Sequence, residues 1–238
     1  MHLTSEKAFY PLLARFLEQP PLSCFAGVAW CNANNGIVVP GYLNTDLIGI
    51  RRSITYPGEL ELVDVEVKKD EGTSPIEGSH GAFIKSLGQS RSHALVAHHC
   101  YLAAAFSVGQ QGFDSLKVEM ARRLFVGLIE IRGRTPNSDP PPTCRRVLNS
   151  RRFNPVLPVV QAALKRISKT ELCDTCDGLR PYSYFAKRLQ DGRVSVFWEQ
   201  PTKSSQETTP FPRTCSCADY AQFLTSMKDS SFGSAKSS

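Results

Sequence analysis

ELELVDVEVK, residues 59–68, is the stretch on which the fold turns. Val63, Val65 and Val67 alternate there with Asp64, Glu66 and Lys68. Successive side chains on a strand point to opposite faces, so the valines fall on one side and the three charged residues on the other. The β-branched residues, with no Gly or Pro inside the run, predict a strand of that length. Its valine face calls for a core, and its charged face calls for a partner.

Upstream, segments 22–31 (LSCFAGVAWC) and 37–51 (IVVPGYLNTDLIGIR) also read as strand material, with a turn at Asn34, Asn35 and Gly36. Before them, 5–18 (SEKAFYPLLARFLE) places Phe9, Leu12, Leu13, Phe16 and Leu17 at helical spacing, with Ser5 as N-cap. Downstream, 70–81 reads as a loop. A long helix over about 82–105 follows, with Phe83, Ile84, Leu87, Ala94, Ala97 and Tyr101 on its apolar side. Segment 114–124 predicts a second short helix and 125–132 (FVGLIEIR) another strand. Helix, strands, helix and further alternation predict an α/β fold, a sheet flanked by helices.

The chain has 238 residues, 41% hydrophobic and 21% charged, which suffices for a sizeable core, and its formal charge is +6. A mildly basic balance is compatible with a polyanionic partner without requiring one. No run approaches the roughly 18 apolar residues that span a bilayer. Met1 to Glu6 lacks the basic start and apolar run of a signal peptide. The expectation is a cytoplasmic protein with reduced cysteines and no membrane partner.

Glu66 and Lys68 lie two apart on one strand and so point the same way, and a neighbouring strand can bring Asp46 to them. Two carboxylates about 4 Å apart repel by about 4 kcal/mol at an effective dielectric of 20. A divalent cation reverses that sign, and phosphodiester hydrolysis uses such a cation to stabilise charge on the attacked phosphate. Asp46, nineteen intervening residues and then Glu66-x-Lys68 resemble the D-x(n)-(D/E)-x-K signature of the PD-(D/E)xK nuclease superfamily. Thr45 stands where that signature usually has Pro. Glu6 on the first helix is similar to an accessory Glu of many members. Gln89, in Leu87-Gly88-Gln89, resembles a Gln that many carry on the helix after the Lys strand. Residues 118–131 look like their closing helix–strand step.

The resemblance covers roughly residues 5–132. It implies a restriction-endonuclease-like fold and a catalytic set of Asp46, Glu66, Lys68, Gln89 and Glu6. It also implies Mg²⁺ or Mn²⁺ held by Asp46, Glu66 and the Val67 carbonyl. Lys68 would orient the attacking water and stabilise developing charge. Gln89 would position a phosphate or Lys68. Lys85, Gln89 and His93 recur every fourth residue as a polar stripe, which reads equally as a solvated face at Lys85 and His93 and less so at Gln89. Asp64 shares the face of Glu66 and is read as a bystander.

The implied function is a metal-dependent endonuclease acting on DNA, of restriction, defence or repair type, with a homodimer suited to double-strand cutting. The alternatives are a catalytically inactive nucleic-acid-binding or scaffolding protein with the same fold, and a protein-interaction module.

After the nuclease core (residues 1–135), residues 136–158 read as a linker rich in Pro and Arg, whose arginines could track a phosphate backbone. Residues 159–225 carry Cys173 and Cys176 as a C-x2-C pair and Cys215 and Cys217 as C-x-C. These flank a hairpin of Tyr182–Leu189 and Val194–Glu199 around Asp191 and Gly192. That pattern predicts a small zinc-ribbon-like module, its structural Zn²⁺ held by the four thiolates. Its small core is expected from Leu179, Tyr182, Phe185, Leu189, Val194, Val196, Phe197 and Trp198. Cys24, Cys31, Cys100 and Cys144 lack ligand spacing and read as small hydrophobes. Residues 226–238 are Ser-rich and read as a disordered tail.

Overall fold

The computed structural model describes residues 6–20, 22–24, 29–30, 45–69, 79–106, 111–133, 141–167, 169–172 and 179–199. They form a mixed α/β architecture in two compact units, Met1–Arg51 with Leu62–Val156, and Arg52–Glu61 with Leu157–Ser238. Among the described residues no helix is long and apolar enough to cross a membrane.

The first unit is organised around β3 (Leu60–Lys69), the strand expected from the valine alternation. It pairs in parallel with β4 (His99–Phe106), in a register that runs from Val63 opposite His99 to Lys69 opposite Ala105. β4 in turn runs parallel to β5 (Gly127–Arg132). Parallel neighbours require crossovers, which α2 (Ser79–Ser92) and α3 (Ser115–Arg123) supply. On its other side β3 pairs with β2 (Leu47–Arg52), and β2 pairs antiparallel with β1 (Ala29–Trp30). The result is a mixed sheet with helices on both faces.

Each face has its own core. Val63, Val65 and Val67 pack with Ala103, Ala105, Ile129 and Ile131 against Phe9, Leu13 and Leu17. The last three belong to a 3-10 turn (Glu6–Phe9) and to α1 (Tyr10–Glu18), which continues from it. Fully burying such a side chain contributes about 1.5–3 kcal/mol. On the opposite face Leu102 and Leu128 meet Phe83 and Leu87 of α2, with Ala121 and Val126 at the end of α3. Ser5, the expected N-cap, and the Asn34–Gly36 turn lie outside the described residues.

One expectation fails here. The helix predicted to run to about 105 ends at Ser92, and His99–Phe106 is a strand. Every residue of β4 is buried, because β3 and β5 flank it and helices cover both faces. A strand buried on both faces shows no alternation, and Ala103, Ala104 and Ala105 extended the helical pattern into it. Ile84, expected on the apolar side of α2, is 50% exposed. Tyr101 lies opposite Gly127 on β5, where a Cβ would run into its ring. Glycine at 127 is what lets the two strands pair there.

Within the stretch read as a linker, Thr143–Leu148 forms β6, antiparallel to β5. The prolines explain how both descriptions coexist: Pro140–Pro142 precede the strand and Pro155 and Pro158 follow it, so none removes a ladder donor.

In the second unit, β8 (Leu179–Arg188) pairs antiparallel with β7 (Lys169–Leu172) and β9 (Val194–Glu199). The hairpin turns where Asp191 and Gly192 predict it, with Gly192 at φ +81°. α4 (Leu157–Ile167) contributes buried Val160, Ala163 and Leu164, and the strands contribute Tyr184, Ala186, Val194 and Val196. Phe185, expected in this core, is 40% exposed and stacks on Phe197 at 5.5 Å. The parity of β8 turns Tyr184 and Ala186 inward instead.

Residues 52–61 join this unit although they sit far upstream. Leu60 pairs with Val196, and the Arg193 guanidinium grips both Glu59 carboxylate oxygens at 2.9 and 3.1 Å while lying over the Tyr56 ring.

Candidate active site

Asp46 stands just before β2, and its two carboxylate oxygens are held from two directions. The Tyr10 hydroxyl of α1 donates to Oδ1 at 2.6 Å, and the Val67 N–H of β3 donates to Oδ2 at 2.7 Å. These bonds fix Asp46 beside the part of β3 that carries Glu66 and Lys68. There the Lys68 ammonium donates to Glu66 Oε1 at 2.5 Å. The Glu66 side chain is 2% exposed and that of Lys68 22%, so the lysine faces the way in. Asp46, Glu66 and Lys68 therefore come together.

Asp64, one step back on the same face, is wholly buried. His93, in the 3-10 turn after α2 (His93–Leu95), places Nδ1 2.7 Å from Asp64 Oδ2 and Nε2 3.9 Å from Glu66 Oε2. Neither residue is the bystander or solvated group that sequence spacing suggests. The polar stripe on α2 is real at Lys85 and Gln89, which are exposed, and ends at His93, which is buried. The parity of Asp64 with Glu66 and the every-fourth-residue spacing of His93 were the available signals.

Gln89 is not drawn into this cluster. Its side chain is exposed, and its hydrogen bond is made by the backbone carbonyl, which accepts from Ser92 Oγ at 2.7 Å. Glu6, in the turn before α1, lies within electrostatic reach of Tyr10 and Lys68.

Burial is the main force on these groups, followed by their charges. Burial, and then the Asp46 charge, push the Glu66 carboxyl from its usual 4.5 to about 7, despite Lys68 and His93. Burial also raises Asp64. Burial works against the charged forms of His93 and Lys68. Together Asp64, Glu66 and Asp46 outweigh it for His93, and Glu66, Glu6 and Asp46 outweigh it for Lys68, so both stand above their ordinary values. Tyr10 is raised by burial and by its bond to Asp46, which keeps its hydroxyl a donor.

A divalent cation fits the acidic part of this set. Glu66 Oε2 and Asp64 Oδ1 are buried with no hydrogen-bond partner among the described residues. A positive charge beside Asp46 and Glu66 would relieve the desolvation and repulsion that raise Glu66. Among the described residues no group of three or more His, Cys, Asp or Glu side chains is gathered to hold a metal. A cation here would thus draw on two carboxylates plus backbone or water oxygen, as Mg²⁺ commonly does.

The pH dependence follows from these directions. Because the folded-state value of Glu66 lies above its unfolded one, its contribution to stability is whole below about 4.5 and lost as pH rises through about 7. His93, also raised, acts in the same sense above 6.5. In EDTA the protein should lose about 3 kcal/mol from Glu66 alone by pH 8. Urea midpoints across that range read the loss, and millimolar Mg²⁺ should flatten it. A level profile in EDTA would show that Glu66 is not desolvated.

The zinc-ribbon cysteines Cys173, Cys176, Cys215 and Cys217 lie outside the described residues, as does Cys31. Cys24, Cys100 and Cys144 are free thiols. Burial pushes Cys24 and Cys144 up to about 12, so neither is a thiolate nucleophile at neutral pH. Compared with protein-family models, curated proteins and solved structures, the chain has no match.

Proposed function

We propose that this chain is a divalent-metal-dependent nuclease of the PD-(D/E)xK type, hydrolysing phosphodiester bonds in DNA. The observation that carries this reading is Asp46 bound to the Val67 N–H, beside Glu66 and Lys68 on one face of β3. The mixed sheet, with α1 on one face and α2 and α3 on the other, supports the restriction-endonuclease-like arrangement.

Asp46 and Glu66, with the Val67 carbonyl, would hold Mg²⁺ or Mn²⁺, which supplies Lewis-acid charge to the attacked phosphate when bound. Tyr10 and the Val67 N–H keep Asp46 oriented. Lys68 remains protonated near neutrality and reaches solvent, so it acts as a cationic donor to oxygen that gains charge in the transition state. Asp64 and His93 back Glu66 from the buried side.

The test incubates purified protein with supercoiled plasmid, linear duplex and single-stranded DNA, in Mg²⁺ or Mn²⁺ against EDTA. Metal-dependent cleavage is the expected result. Binding without cleavage in either metal would favour the non-catalytic nucleic-acid-binding reading.

A further inference from the structure

Phe125 occupies a backbone position that sterics ordinarily leave to glycine. It follows α3 at φ +63°. Its N–H bonds to the Arg122 carbonyl and the Val126 N–H bonds to the Ala121 carbonyl, both at 3.1 Å. This paired closure of a helix usually has Gly at the left-handed residue. A bulky side chain there is strained, and Phe125 still keeps 39% of its surface exposed.

The ring belongs to a row of planar groups that runs from buried Phe153 out to exposed Phe125 and Arg151 in the first unit. The Arg151 guanidinium lies 5.0 Å from the Phe125 centroid, Phe125 lies 6.5 Å from Phe153, and Arg91 lies 4.4 Å from Phe153. Backbone bonds hold the row in place, from Arg151 N–H to the Phe125 carbonyl and from Phe153 N–H to the His98 carbonyl. The Ser150 hydroxyl also donates to the Phe125 carbonyl at 3.1 Å. Exposed Leu95, Leu124 and Val156 complete the surface, with Val156 N–H bonded to the Leu95 carbonyl. Neither Arg91 nor Arg151 forms an ion pair among the described residues.

We propose that this row binds single-stranded nucleic acid, with Phe125 stacking on an unpaired base and Arg91 and Arg151 meeting the adjoining phosphates. Charge complementarity selects this occupant. A second copy docking by two-fold symmetry would bring the same uncompensated guanidiniums against each other. An acidic peptide would satisfy the arginines and leave the strained ring without a role. Bases present a π face of either kind of neighbour, ring or guanidinium, together with the phosphate charge. The row adjoins the start of β4, where His99 pairs with Val63, whereas Glu66 and Lys68 pair with Leu102 and Ala104. Three strand steps separate Val63 from Glu66, roughly 10 Å, and five separate it from Lys68, roughly 17 Å. The row thus lies toward the Asp64 end of the carboxylate cluster and away from Lys68. None of its residues is one that would hold the metal, so it binds whether or not the protein cuts.

Fluorescence anisotropy in EDTA, on the full chain, tests this with a labelled short oligothymidylate and an abasic oligomer of equal length. The oligothymidylate should bind about tenfold more tightly than the abasic strand. Phe125→Gly should lose about that same factor toward oligothymidylate while its Tm holds or rises, since glycine adopts the turn without strain. Phe125→Trp should retain affinity, and Arg151→Ala should weaken both strands. Equal binding of the two strands, unchanged affinity in Phe125→Gly, or displacement by polyglutamate as effective as by unlabelled oligothymidylate would each overturn the proposal. An absence of metal-dependent cleavage would leave these affinities as they are, so the two readings fail separately.

Discussion

Asp46→Asn, Glu66→Gln and Lys68→Met should each lower metal-dependent cleavage by on the order of 10²–10³-fold, the scale of losing one transition-state electrostatic contact. The stability of the same variants should diverge. Glu66→Gln removes a buried group that resists ionisation, so in EDTA at pH 8 it should melt higher than wild type. Carboxylate repulsion alone would give removal of the Asp46 charge the same gain, and the structure gives Asp46 a different part. Its oxygens accept from the Tyr10 hydroxyl and the Val67 N–H, so Asp46→Asn, whose amide sets an N–H against one of those donors, should cost about 1–3 kcal/mol. Lys68→Met should also destabilise, because it leaves Glu66 without its cation. Plasmid nicking rates and thermal melts of the three proteins read both halves. Wild-type rates in all three would remove the catalytic assignment.

His93→Ala should destabilise the fold by about 3–5 kcal/mol, the usual cost of breaking a buried ion pair from one side. The imidazole is the partner of a carboxylate with no exposure, and Asp64 Oδ1 already lacks a hydrogen bond among the described residues. Asp64→Ala should cost a similar amount from the other side. Replacing both by apolar residues of similar volume should recover most of the loss, since neither charge is then stranded. Urea midpoints of the singles and the double form a mutant cycle. A coupling below about 0.5 kcal/mol would mean the two residues act independently.

Much of this was legible because it depends on local periodicity. The valine alternation of β3 is visible in ELELVDVEVK, and so are the placement of Glu66 and Lys68 on one face and the turn at Asp191 and Gly192. β4 was not legible, because a strand buried on both faces loses the polar beat that marks a strand. His93 was hidden for a related reason. Its spacing from Gln89 reads as one exposed helix face, but the helix ends at Ser92 and the 3-10 turn after it directs the imidazole inward. Hydrophobicity alone puts Phe185 in a core, and strand parity leaves it 40% exposed, stacked on half-buried Phe197. Gln89 is suggested only by likeness to a family position, and among the described residues no contact draws it to the carboxylates. The membership of residues 52–61 in the second unit depends on pairings far along the chain, which no local pattern announces.

That membership has a consequence for how the protein is made. Glu59 and Arg193 are 134 residues apart, so the ribosome releases the tip of the β2–β3 hairpin long before the strand that grips it. At roughly 5–20 residues per second the interval is on the order of 10 s. Throughout it, Glu59 and Leu60 have neither Arg193 nor Val196 to pair with, while the strands on either side of the tip are already free to assemble. The second unit cannot be completed from its own nascent segment. It is finished on a peg that the first half of the chain has carried since early in synthesis, so a chain released at Val156 would keep the peg and never receive what closes over it.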